Sequence, residues 1–197
     1  GQIVLSSELF NSGIRPAINV GSSVSRVGSS AQTIAMKKVA GKMKLEFAQF
    51  KNIEAFAQFG SDLDPVTKKL IDQGRKITEL LKQPQYASQS FEEQAIAIYA
   101  ASNGYLDNIE ISKVKAFEKG LIAFLRERYA KVIETVASEG QFSETNEPLL
   151  KDAIKEMNFE AGSHKSNPVA NIGYDIKYSE NPPKLYHTKW MDFEEGI

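Results

Sequence analysis

The chain has 197 residues, 42% of them hydrophobic, enough for one sizeable core or for one domain with a tail. Its 24 basic and 25 acidic residues leave a formal charge of −1, so no general attraction to nucleic acid is expected. The lack of cysteine excludes disulfides, a thiolate nucleophile and cysteine-held metals, and no apolar run approaches the ~20 residues that cross a bilayer.

Strand candidates come first. Gln2–Leu5 and Ala17–Val20 read as two short strands, too few for an independent sheet, so another polypeptide must supply the rest of it. Gly21, Ser22 and Ser23 turn the backbone, and a helix is expected to begin near Ser29–Ala31. From Ala31 to Phe59 the pattern is helical, with Gly41 as the expected break. Asp64 caps the next helix and Pro65 suits its first turn, with Val66, Leu70, Ile77 and Leu81 recurring on one face. Ser90-Phe91-Glu92-Glu93 reads as a capping box, opening a helix that Asn103-Gly104 stops after Ser102. Ser112 is expected to cap the longest helix, to about Ala137, with Val114, Phe117, Leu121, Phe124, Leu125, Val132 and Val136 as its apolar stripe. A shorter helix over about Asn146–Met157 completes four or five helices with short connections, which implies a bundle.

From Ala161 the helical period fails, and Asn181-Pro182-Pro183 forbids regular helix. This end nevertheless carries Tyr174, Tyr178, Tyr186, Trp190 and Phe193. Disordered tails are poor in such residues, so an extended arm docked on another surface is expected.

Residues 18–32 hold the most suggestive chemistry. Small residues surround one cation, Arg26, whose planar guanidinium can face an anion as a rigid charged fork. A tight strand-to-helix turn is the plain alternative for such a stretch. Gln83 and Gln85 flank Pro84, and their amides can both donate to and accept from a purine edge; exposed loop polars are the alternative. His164 and His187 lack a carboxylate pattern for zinc. Lys37, Lys38, Lys42 and Lys44 read as a solvated basic face, Glu92 and Glu93 as capping residues, and Asp62 and Asp64 as helix-start partners.

Glu8-Leu9-Phe10-Asn11-Ser12-Gly13-Ile14-Arg15-Pro16-Ala17-Ile18-Asn19-Val20-Gly21 runs directly into Ser23-Val24-Ser25-Arg26-Val27-Gly28. Phe56-Ala57-Gln58-Phe59-Gly60-Ser61-Asp62-Leu63-Asp64 and Leu80-Leu81-Lys82-Gln83-Pro84-Gln85-Tyr86 follow. In this order and spacing the sequence closely resembles the C-terminal part of the alpha subunits of F-type ATP synthases, over roughly residues 1–160. The resemblance implies a mainly α structure, with a C-terminal helical bundle preceded by two short strands that complete an α/β nucleotide-binding domain supplied by another polypeptide. Residues 1–42 would end that domain, 43–160 would form the helical domain, and 161–197 would be an arm atypical of the family.

The resemblance also implies roles. Arg26 would reach across a subunit interface as an arginine finger in the beta-subunit catalytic site, balancing charge on the transferring phosphate. Ser23 matches a position needed for activity and is expected to support the loop, since no base is visible to activate it. Phe10, Arg15, Gln83 and Gln85 would line the adenine end of a second, non-hydrolysing nucleotide site. The phosphate-binding Gly-x-x-x-x-Gly-Lys-Thr/Ser loop is absent, so most ligands of ATP or ADP and of Mg2+ would lie on other polypeptides, with no metal held here. Expected partners are the N-terminal portion of alpha, the beta subunits and the gamma shaft, near which the Asp62–Asp64 loop would lie, with a lineage-specific subunit on the arm. No direct membrane insertion is expected. The start at Gly1 suggests a processed or divided subunit. The expected location is the matrix side of the mitochondrial inner membrane, with the stromal side of the thylakoid as the alternative. A non-catalytic assembly module derived from an alpha subunit is the competing function.

Overall fold

The run Ala95-Ile96-Ala97-Ile98-Tyr99-Ala100-Ala101 is apolar round its whole circumference, and a helix of that kind must be surrounded. In the computed structural model it forms the centre of helix α5 (Phe91–Ser102), and all seven residues are buried. The structure describes residues 1–57 and 64–163; the side chains of 55–57 and 158–163 fall outside that description. The bundle around α5 consists of α3 (Ile34–Ala57), α4 (Pro65–Leu80), α6 (Val114–Arg128), α7 (Ala130–Glu139) and α8 (Asn146–Ser163). Helices α3, α4, α6 and α7 pack directly on α5, and α8 closes the far side on α6 and α7. Two short helices precede the bundle, α1 (Ser7–Asn11) and α2 (Gly28–Ala31). The helical bundle is therefore as expected.

The two strand candidates reduce to one antiparallel bridge, Leu5 with Ile18, flanked by Ser6 N–H to Ala17 O (2.9 Å) and Asn19 N–H to Val4 O (2.8 Å). A lone pair of strands has no further partner to lengthen against. Gly41 does not break α3, which runs on through the expected boundary at residues 42–43. One interior glycine costs only about 1 kcal/mol, and packing on α4 and α5 outweighs that.

Helix α4 starts as its sequence dictates. Asp64 Oδ1 accepts from the amides of Val66 and Thr67 (both 3.0 Å), and the Thr67 bonds hold the Asp64 carboxyl below its ordinary range. Its buried face differs from the expected stripe: Ile71, Gly74, Ile77 and Leu80 point inward, whereas Val66 is exposed. The α5 capping box does not form. Ser90 makes no side-chain cap, and Glu93 is buried and pairs with Arg126 of α6. Glu93 is thus an interhelical partner rather than a capping residue.

The expected long helix is two helices, introduced by a single 3-10 turn over Ile111–Lys113 and divided at Tyr129 (φ −129°, ψ 36°). Tyr129 leaves helical geometry where its hydroxyl meets Glu156 of α8 and its ring centroid lies 5.9 Å from that of Phe124. All seven residues of the expected stripe are nevertheless buried. Helix α7 stops at Gly140 in the left-handed region (φ 66°), whose carbonyl accepts from Ala35 N (2.8 Å) at the start of α3. Helix α8 runs to Ser163, past the expected end at Met157 and the expected boundary at 160–161. The aromatic arm, His164, His187 and Asp62 lie outside the described residues.

One carboxylate ties three helices. Glu147 of α8 accepts from Tyr99 Oη of α5 (3.0 Å) and pairs with Lys38 of α3 and Lys151 of α8 (both 3.1 Å). Burial pushes its carboxyl up, but these bonds outweigh burial and hold it below its ordinary 4.5. A lowered pKa stabilises the fold above the unfolded value and loses that contribution as pH falls through the folded one. Glu147→Gln is therefore expected to cost roughly 1–3 kcal/mol at pH 7 and less below pH ~4. Urea unfolding at both pH values checks this; equal losses at both would contradict it.

Candidate functional site

The loop that carries Arg26 is bonded rather than merely small. Asn19 Oδ1 accepts from Ser22 N (3.0 Å), and Asn19 O accepts from both the amide (3.0 Å) and the hydroxyl (2.6 Å) of Ser23. Ser23 Oγ in turn accepts from Val4 N (3.0 Å), linking the loop to the first segment of the protein. Ser25 Oγ accepts from Gly28 N (2.9 Å) at the start of α2. The Ser23 hydroxyl thus has a donor on one side and an acceptor on the other, an arrangement suited to holding a loop. Arg26 is exposed between these anchors and has no hydrogen bond or ion pair among the described residues.

A second constellation assembles from separate parts of the sequence. The Arg15 guanidinium lies 4.1 Å from the centroid of the Phe10 ring, at the end of α1. Gln83 N–H donates to Arg15 O (2.8 Å), which brings the loop after α4 against this pair. The Gln83 side-chain amide donates to Ala87 O within its own loop, leaving its carbonyl oxygen without a bond among the described residues. Gln85 and Tyr86 occupy the loop tip, a turn in which Tyr86 has φ 61° and is almost fully exposed. Gln85 is exposed and makes no bond to Phe10, Arg15 or Gln83. The structure therefore joins three of the four residues expected near a base and leaves the fourth in the same loop as Gln83 without a bond to them.

An aromatic face, a guanidinium and amide groups suit a flat heteroaromatic base bearing hydrogen-bonding edges. They do not suit a magnesium ion, and no group of three or more carboxylate or imidazole side chains capable of holding a metal exists among the described residues. A cleft of about 1020 Å³ lies between residues 6–21 and helices α3 and α4. Leu9, Ile18, Leu45 and Phe47 contribute to its walls, and none of the six sequence-predicted site residues lines it.

The lysines expected on a solvated face are partly engaged. Lys38 pairs with Glu147, and Lys42 donates to Ser102 O at the end of α5. The ties of the glutamine loop to α6 are not among the features expected from the sequence. Gln89 Nε2 donates to Glu118 Oε1 (3.0 Å), and Lys115 Nζ donates to Leu80 O (2.7 Å). One signal of them is present in the sequence: Glu118 stands four residues after Val114 and three before Leu121, a carboxylate on the buried face. Among the described residues, no helix is long and apolar enough to cross a membrane.

Comparison with known families gives a match over the helical bundle. Residues 32–157, well over half of the protein, match the family described as "ATP synthase alpha/beta chain, C terminal domain". The match begins just before α3 and ends within α8, so it covers the bundle but not the Arg26 loop.

Proposed function

The protein belongs to the family of C-terminal domains of ATP synthase alpha and beta subunits, and we propose that it is the C-terminal portion of an alpha subunit in the catalytic head of a rotary, proton-driven ATP synthase. The residues before α3 end the nucleotide-binding domain, and the bundle from α3 to α8 forms the helical domain. The N-terminal portion of alpha completes the sheet that the Leu5–Ile18 bridge only begins. Exposed Ile3, Leu5, Val24 and Val27 and the cleft beside α3 support this, because a finished domain would cover such a surface. The other partners are the beta subunits and the gamma shaft. The head lies on the matrix side of the mitochondrial inner membrane.

Arg26 acts in trans on nucleotide held by a beta subunit, with Ser23 supporting its loop. Phe10, Arg15, Gln83 and Gln85 line the adenine end of a nucleotide site on alpha. This sequence has no phosphate loop, so residues outside it hold the phosphates and Mg2+ of both nucleotides. The convergence of Phe10, Arg15 and Gln83 from distant stretches carries this reading.

Labelling with 2-azido-ATP tests it. Light should attach the probe to this polypeptide in the assembled head, and Gln83→Ala with Gln85→Ala should raise the half-saturating concentration about tenfold, the size of one or two lost hydrogen bonds. Labelling confined to other polypeptides would refute the adenine site.

A further inference from the structure

The loop from Leu81 to Ser90 carries both glutamines, and two of its ties lead to a single pair of side chains on α6. Before the loop, Lys115 Nζ donates to Leu80 O (2.7 Å), a carbonyl at the end of α4. Near its exit, Gln89 Nε2 donates to Glu118 Oε1 (3.0 Å). Lys115 and Glu118 bond each other at 2.7 Å, so entry and exit are tied to one carboxylate–ammonium pair. Between these ties, Gln83 N–H bonds Arg15 O, which sets the loop against the Phe10–Arg15 stack.

Glu118 is only 5% exposed. Its partner Lys115 is only partly covered, and an ion pair that buries its carboxylate adds little net stability over apolar residues of similar shape, so stability alone is a poor reason for a carboxylate on the buried face of α6. Both oxygens of Glu118 are used, one on Lys115 and one on Gln89, and Lys115 also reaches a main-chain carbonyl. This arrangement defines where the loop begins and ends.

We infer that Lys115 and Glu118 are positioning residues for the nucleotide site on this polypeptide: through Leu80 O and Gln89 they hold the Gln83–Gln85 turn at the distance from Arg15 and Phe10 that an adenine requires. The inference rests on the proposed adenine site. A ligand held by few polar contacts loses affinity when the groups that receive it must first be ordered, because the ordering cost is taken from the binding free energy.

The test uses the assembled head and two readouts: half-saturation of 2-azido-ATP labelling of this polypeptide, and hydrogen exchange at the Gln83 amide. Lys115→Met keeps the aliphatic stem and removes the ammonium. It is expected to raise half-saturation about tenfold and to speed Gln83 exchange at least about tenfold, since the bond to Arg15 then opens more often. Glu118→Gln keeps the shape of the side chain and should move both readouts in the same direction by less. Lys115→Arg should restore most of the labelling. A role in stability alone would lower the unfolding temperature and leave both readouts unchanged below it, which would overturn the inference. If Lys115→Met heads do not assemble, Glu118→Gln alone decides by the same criteria. If exchange accelerates while labelling is unchanged by Lys115→Met, Glu118→Gln and Gln83→Ala alike, the clamp is real and the adenine site is refuted. If Gln83→Ala weakens labelling and neither α6 variant does, the clamp is refuted and the adenine site stands.

Discussion

Heads assembled with Arg26→Ala are expected to hydrolyse ATP at least about a thousandfold more slowly than heads with the native sequence, the scale of losing an arginine finger. The phosphoryl group in flight carries its charge on oxygens that a guanidinium can grip with two parallel N–H donors. Arg26 is suited to that by what it does not do at home. It is exposed, it bonds no described residue, and the loop beneath it is held by Asn19, Ser23 and Ser25. Removing it therefore takes nothing from the core, and the unfolding temperature should not move. Arg26→Lys keeps the charge but loses the fork, and should recover only a small part of the rate. Steady-state hydrolysis by purified heads of equal subunit composition is the measurement. Activity within about threefold of native for both variants would remove the catalytic reading and leave the assembly module as the better account.

Gly74→Ala is expected to destabilise the protein by at least about 2 kcal/mol, although alanine is the better helix former by about 1 kcal/mol. Helix α4 crosses α3 with Gly74 against Phe50, a side chain only 1% exposed. A Cβ added at Gly74 would lie 2.0 Å from Phe50 Cγ and 2.6 Å from its Cβ, well inside contact distance and close to the root of the side chain. A rotation of the ring cannot relieve an overlap there, so the helices must separate. Thermal unfolding of the single variant and of Gly74→Ala with Phe50→Leu checks the mechanism. The smaller side chain should recover part of the loss, giving strong coupling between the two positions. A rise in unfolding temperature for Gly74→Ala alone would contradict the close crossing. The consequence reaches the candidate site, because α4 leads directly into the Gln83–Gln85 loop.

Much of the bundle is legible in the sequence because its signals are local. Asp64 opens α4 by accepting from the amides two and three residues on, and Pro65 occupies its first position. Asn103 and Gly104 end α5 directly after Ser102. Seven apolar residues from Val114 to Val136 share a face because their spacing follows the helical repeat, and the break at Tyr129 leaves all of them buried. The Arg26 loop and the glutamine pair are likewise visible as motifs, since their residue types and order stand in contiguous stretches.

Distance in sequence marks where that legibility ends. Glu93 reads as a capping residue because capping is a local pattern; its partner Arg126 is 33 residues away. Tyr129 reads as helical because nothing near it in sequence says otherwise; Glu156, 27 residues on, draws its hydroxyl to α8. Gln89 and Glu118 are 29 residues apart, and no periodicity encodes their bond. Helix starts, stops and the apolar stripe are determined within a few residues by backbone hydrogen bonding and side-chain period, and so they belong to the sequence. The meeting of Phe10 and Arg15 with Gln83, the closeness of Gly74 to Phe50 and the reduction of two strands to one bridge depend on which surfaces remain to be buried once the helices exist. That is a property of the packed polypeptide, and only the tertiary structure decides it.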